Sequence, residues 1–186
     1  MTTPRKPRTD ARRNRDTILD AARTAFAGAD GPVALEHIAR AAGVGIGTLY
    51  RHFPTRDDLV ESVYAAELDE VADSATTLLR DLPPDEALRA WLQRYAAFVA
   101  TKRGLAETLR AALAAGRITQ PVTRQRITAA VAALLARGGE NGTLRTDVDP
   151  EDVVVLALGA FVTGADDPAR TERLVALVLD AVRVRS

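Results

Sequence analysis

Residues 35–59 read LEHIARAAGVGIGTLYRHFPTRDDL, from Leu35 to Leu59. Leu35, Ile38, Ala39 and Ala42 recur at i, i+3, i+4 and i+7, the spacing of one face of a short amphipathic helix. Gly43 interrupts it, since glycine takes the left-handed backbone that ends helices. A second short helix is expected over Gly45–His52. Phe53-Pro54 closes it, because a proline drives its predecessor out of helical geometry. Two short helices joined by a glycine turn form a helix-turn-helix, a unit whose second helix enters the DNA major groove.

Upstream, Arg12 to Ala27 reads as a first helix with Ile18, Ala22, Ala25 and Phe26 on one face. It is closed by the stretch from Gly28 to Pro32. Residues 1–10 carry Pro4, Arg5, Lys6, Pro7 and Arg8 and read as a flexible basic arm, either a solvated tail or charge lying along phosphates. Arg12 and Arg13 near the start of the first helix are equally readable as surface charge or as backbone contacts. Downstream, Thr55 caps a fourth helix whose first turn holds Asp57 and Asp58, acids suited to a positive helix start. Its apolar stripe runs from Leu59 to Leu82 without an internal glycine or proline.

The chain has 186 residues, no cysteine and a formal net charge of zero. The missing thiols exclude a disulfide framework and thiolate chemistry. No apolar run suggests a signal peptide or a membrane span, so the expected place is the cytoplasm. The charge is divided unequally. Residues 1–56 hold ten Lys/Arg against five Asp/Glu, a net of +5, and residues 57–186 hold fifteen against twenty, a net of −5. The positive half is the one with the helix-turn-helix, as expected of a nucleic-acid-facing segment.

Past Pro83-Pro84, four further helices and a shorter one are expected. They are Asp85–Arg103 with Trp91, Tyr95 and Phe98 at helical spacing, Leu105–Ala115, Thr119–Arg137 stopped by Gly138-Gly139, Val153–Val162 after an Asp149-Pro150 start, and Pro168–Arg185. The expectation is thus an all-α chain of about nine helices. It comprises a three-helix DNA-binding domain over 1–54 and a helical bundle over 55–186. An aromatic stripe such as Trp91–Tyr95–Phe98 is more often core than ligand cage. The run VVVLALGAFV at 153–162 is too apolar for an exposed surface. With the last helix it predicts a two-fold dimer interface of Val154, Ala157, Leu158, Phe161, Leu174, Leu177, Val178 and Ala181.

On the second short helix, Gly45 and Gly47 let backbone approach DNA closely. Ile46 and Thr48 are sized for thymine methyls, and Thr48 also hydrogen-bonds a base edge. Tyr50 and His52 are placed for phosphates, while Arg51 is readable as a base, phosphate or solvent residue. Arg56, with Thr55, lies at the next helix start, where backbone N–H groups favour a phosphate. Both histidines, His37 and His52, lie in this half, so residues 57–186 offer no His or Cys for a metal site or a nucleophile pair. No cofactor, metal or catalytic residue is expected. An enzyme reading needs a buried carboxylate pair for which no spacing asks.

Ile38-Ala39, Ala42-Gly43-Val44, Gly47-Thr48-Leu49-Tyr50, His52-Phe53 and Leu59, with Ile18, Leu19, Ala21, Ala22, Phe26 and Gly31 upstream, resemble the DNA-binding signature of TetR-family transcriptional regulators. The resemblance covers about 45 residues. It implies a homodimer on a double-stranded operator, with Tyr50, His52 and Arg56 on the DNA backbone. It also implies repression relieved by a small apolar effector. The effector pocket would draw on Trp91, Tyr95, Phe98, Leu109, Leu113 and Ile127, with polar groups from Gln93, Arg94, Arg110 or Gln125. A DNA-binding scaffold answering to a protein partner is the alternative. The chain departs from the family pattern at Ala34, a poor N-cap where Thr or Ser is usual, at Gly45-Ile46 where Ser then Lys is frequent, and at Arg56 where lysine is usual.

Overall fold

The computed structural model describes residues 7–27, 33–104, 114, 116, 120–164 and 167–184. Among them are eight helices: α1 (Pro7–Ala27), α2 (Leu35–Ala41), α3 (Ile46–His52), α4 (Arg56–Asp81), α5 (Pro84–Gly104), α6 (Gln120–Glu140), α7 (Pro150–Gly164) and α8 (Pro168–Val182). No strand occurs among the described residues beyond one isolated bridge between Leu144 and Arg183. Of the short helix expected over 105–115, only residue 114 is among the described residues. The fold is all-α.

The backbone forms two compact units, Met1–Ala65 with Gly104–Ile118, and Ala66–Arg103 with Thr119–Ser186. In the first, α1, α2 and α3 pack on one another. Ile18, Ala22 and Phe26 of α1, Ile38 and Ala39 of α2, Leu49 of α3, Phe53, and Leu59, Val60 and Val63 of α4 are all buried. α1 begins at Pro7, five residues before the expected start. A proline is well tolerated in a first helical turn, where its missing N–H leaves no bond unmade. The arm expected over 1–10 is therefore helical from residue 7.

In the second unit α7 packs on both α6 and α8. Asp149 caps α7 by accepting the Glu151 N–H at 2.7 Å, and Asp167 caps α8 by accepting the Ala169 N–H at 2.9 Å. The expected stop at Gly138-Gly139 is not where α6 ends, because the helix runs on to Glu140. These two glycines serve packing instead. A Cβ on Gly138 would lie 2.4 Å from the Leu144 side chain, and one on Gly139 would lie 2.6 Å from the Thr146 methyl. The returning loop thus lies directly on the helix backbone. The last helix ends at Val182, short of the expected Arg185, because the chain there pairs with the loop. The Arg145 N–H donates to the Val182 carbonyl at 2.8 Å, and the Val184 N–H donates to the Thr143 carbonyl at 3.2 Å. The Arg145 guanidinium also grips the Asp147 carboxylate, at 2.9 Å through both Nε and Nη2, which holds that carboxyl below its ordinary range.

Candidate nucleic-acid interface

The turn between α2 and α3 is built by its glycine. Gly43 has φ +66°, its N–H bonds the Arg40 carbonyl at 3.1 Å and the Val44 N–H bonds the Ala39 carbonyl at 3.0 Å. This pair of bonds is the Schellman ending of a helix, with glycine at the left-handed position. Gly45 then serves as the N-cap of α3 in extended geometry. α3 stops at Phe53, which takes φ −135° and ψ 90° ahead of Pro54. The expected helix-turn-helix is present, with the second helix starting at Ile46 after the Gly45 cap.

α3 buries Leu49 completely against the unit and turns its other side out. Gly45, Ile46, Gly47, Tyr50 and Arg51 are exposed, while Thr48 and His52 are partly so. Ile46 is 37% exposed and Tyr50 45%, an apolar and an aromatic side chain left in water with no intramolecular reason. Arg12 and Arg13 are exposed on α1. Leu49 and Phe53 are core, as their residue types lead one to expect; Val44 is half-buried. Neither Gly45 nor Gly47 has a positive φ, and a Cβ added to either would meet nothing within 4 Å. Glycine inside a helix costs about 1 kcal/mol relative to alanine, and nothing inside the chain requires it at Gly47.

Thr55 and Asp58 form a reciprocal cap at the start of α4. The Asp58 N–H donates to Thr55 Oγ1 at 3.1 Å and the Thr55 N–H donates to Asp58 Oδ2 at 2.9 Å. The Thr55 hydroxyl is thereby engaged within the protein. Arg56 departs from its expected role as a simple phosphate ligand. It is half-buried, its Nη1 donates to the Val33 carbonyl, and its guanidinium lies 5.7 Å from the centre of the Phe26 ring. It braces the entry to α2, where Ala34 makes no side-chain cap. Arg15 does similar work that the sequence reading missed. Its guanidinium sits 5.1 Å from the centre of the Phe53 ring and donates to Ser62 Oγ at 3.3 Å. Its spacing of i+3 and i+4 to the buried Ile18 and Leu19 was the available signal.

In the second unit the aromatic residues come together. Trp91 and Tyr95 stack at 5.2 Å between centroids, Tyr95 and Phe98 at 6.2 Å, and Phe161 meets Tyr95 edge-on at 6.2 Å. The Trp91 indole N–H donates to the Val71 carbonyl at 3.0 Å. Ile127 is buried as well. Leu109, Leu113 and Arg110 lie outside the described residues. Arg94 and Gln125 are exposed, and Gln93 donates to Glu172 at the surface at 2.8 Å, so these three line no interior. The expected dimer set divides. Val154, Ala157, Phe161 and Val178 are at most 4% exposed within their own unit and have no surface to offer a partner. Leu158, Leu177 and Ala181 are exposed and Leu174 is half-buried. The exposed apolar face is completed by Val155 and Val162, which lie on the side of α7 opposite the core residues.

A compact helical unit that presents a glycine-flanked recognition helix, in a chain whose other unit is also helical, is the architecture of a DNA-binding regulator. The family model of bacterial tetR-family regulatory proteins matches residues 18–63. That of the C-terminal domain of SbtR-like transcriptional regulators matches residues 83–184. The chain belongs to the TetR family of DNA-binding transcriptional regulators. A TetR transcriptional regulator from Streptomyces coelicolor is 41% identical, with a TM-score of 0.83, over 92% of this chain and 99% of that one. A TetR transcription regulatory protein from Mycobacterium vanbaalenii is 33% identical, with a TM-score of 0.75, over 96% and 100%. No match was found among curated proteins. Among the described residues no helix is long and apolar enough to cross a membrane, and no His, Cys, Asp and Glu group could hold a metal ion.

Proposed function

We propose that this protein is a cytoplasmic, homodimeric repressor that reads a two-fold-related DNA operator with α3 and is released by a small apolar effector bound in its second unit. The observation that carries the DNA-reading part is Gly47. It is a helical glycine, exposed and unconstrained by its own chain, on the one helix that leaves Ile46 and Tyr50 in water. An outside backbone that must come close accounts for all three. Within this reading Ile46 and Thr48 meet bases, Tyr50, His52 and Arg51 meet phosphates, and Arg12 and Arg13 add sequence-independent charge. Selection of bound duplexes from a random pool tests it directly. The expected result is a palindromic consensus, whose half-site spacing reports the dimer; recovery of no consensus refutes it.

The effector part is supported by the Trp91–Tyr95–Phe98–Phe161 cluster and by the Thr128 hydroxyl. Among the described residues that hydroxyl is buried without a hydrogen-bond partner, beside the buried Ile127. An unmet buried hydroxyl costs about 1–3 kcal/mol, a cost that a polar group on a ligand would remove. α4 runs from the first unit into the second, so it is the element through which occupancy would alter the spacing of two recognition helices. Ligand screening by thermal shift tests this, because a ligand that binds only the folded state raises the melting temperature by mass action.

A further inference from the structure

α3 is a helix of seven residues, Ile46–His52, too short to be stable by itself in water. Its position depends on what fixes its two ends. At the start, the Gly43 turn ties it to α2. At the finish, the chain reverses through Phe53, Pro54 and Thr55 into α4. Phe53 leaves the helix in extended geometry and is only 1% exposed. Thr55 is held by Asp58 in the first turn of α4. These bonds are local and leave the angle between α3 and α1 unset.

Arg15 of α1 makes a contact across that reversal. Its guanidinium lies 5.1 Å from the centre of the Phe53 ring, and its Nη2 donates to Ser62 Oγ of α4 at 3.3 Å. One side chain thus joins the residue that ends α3 to the second turn of α4. It does so from a helix that is itself anchored by the buried Ile18 and Leu19, three and four residues on. The Phe53 ring also meets the ring of His52, the last residue of α3, at 6.4 Å.

We propose that Arg15 is a positioning residue for DNA reading: it sets the angle of α3 by clamping Phe53 to the head of α4, and does not itself touch DNA. The inference rests on the DNA-reading proposal above and adds a residue to it. A planar guanidinium can lie over a ring and donate from its edge at the same time, which an ammonium cannot. Contacts to base edges fail when a helix tilts, because hydrogen bonds weaken steeply with angle. Attraction to phosphates acts over a longer range and tolerates the tilt. A loosened α3 therefore loses sequence preference before it loses DNA.

The test is fluorescence anisotropy of the full chain on its selected duplex and on a scrambled one, over a salt series, with thermal melting alongside. Arg15→Ala should weaken binding to the selected duplex by about fivefold or more, the size of one lost base contact, and leave the scrambled duplex bound as before. Its log–log salt slope should not move, and its melting temperature should stay within about 3 °C, since an exposed cation–π contact adds little to folding. Arg15→Lys keeps the charge without the fork and should show most of the same loss. Phe53→Leu keeps an apolar side chain in the core and removes the ring face. In that background Arg15→Ala should cost less than about twofold, because the two residues act as one unit. A salt slope lowered by about 0.9 per protomer, with both duplexes weakened alike and lysine restoring them, makes Arg15 a phosphate ligand and overturns the inference. An Arg15→Ala protein that binds both duplexes as the wild type does, or that melts early and loses both together, overturns it too. A wild type that does not distinguish the two duplexes overturns the DNA-reading proposal itself, and this inference with it.

Discussion

Arg56 illustrates how a single residue changes meaning between sequence and structure. At the start of α4 it carries the charge that a phosphate contact requires. Yet its guanidinium is spent on the Val33 carbonyl and the face of Phe26. Bonds from charged donors are worth about 1.5–3 kcal/mol when buried, and partial exposure reduces that here. Arg56→Ala is expected to lower stability by about 1 kcal/mol and to weaken binding to all DNA sequences alike, with no change in the log–log salt slope. A slope reduced by about 0.9 per protomer would mean that the side chain leaves its brace to release a counterion. Ala34→Ser supplies the cap that α2 lacks and should add about 1 kcal/mol, read by denaturant titration. Thr48→Ala should relax preference at one position of each half-site, at a cost of about 1–3 kcal/mol on the best operator, without moving the salt slope.

Among the elements, α3 and α6 carry glycines for opposite reasons. Gly47→Ala places a methyl in open space and should stabilise the isolated protein by about 1 kcal/mol through helix propensity. The same methyl should weaken DNA binding across sequences. Melting temperature and fluorescence anisotropy are thus expected to move in opposite senses; a variant that binds as well as the wild type removes close approach as the reason for the residue. Gly138→Ala puts its methyl 2.4 Å from the Leu144 side chain. Overpacking of that kind costs about 1–3 kcal/mol, more than the propensity gain, so this variant should melt earlier. The expected stop at Gly138-Gly139 failed on this point. A glycine pair in a helical pattern marks either an end or a close approach, and only the position of Leu144 distinguishes the two.

For the whole molecule, the burial of the last two helices separates folding from assembly. Phe161 closes the aromatic cluster against Tyr95, so Phe161→Glu should unfold or aggregate the protein by burying an unpaired charge. Leu177→Glu, on the outer face, should leave a folded monomer with its helical circular dichroism intact. An effector of the proposed kind should alter the emission of Trp91, the only tryptophan, since that ring is fully buried in the cluster.

The helix-turn-helix was legible in the chain because its determinants are local. Gly43 at the turn, Pro54 after Phe53, and the apolar period through Leu35, Ile38, Ala39 and Ala42 each act within a few residues, and the caps at Thr55 and Asp149 do the same. The basic sign of residues 1–56 is a property of composition alone. What the tertiary structure decided is direction. Nearly every side chain of VVVLALGAFV is apolar, so the run has no polar face from which to read which way it turns. Only the packing of α7 on α6 and α8 sends Val154, Ala157 and Phe161 inward and leaves Val155, Gly159 and Val162 outside. The contacts that Arg56 and Arg15 make are likewise not named by their sequence neighbours. Their partners, Val33 and Phe26 for one and Phe53 and Ser62 for the other, lie 23 and 30 residues away or 38 and 47, and such pairings exist only once the chain has folded.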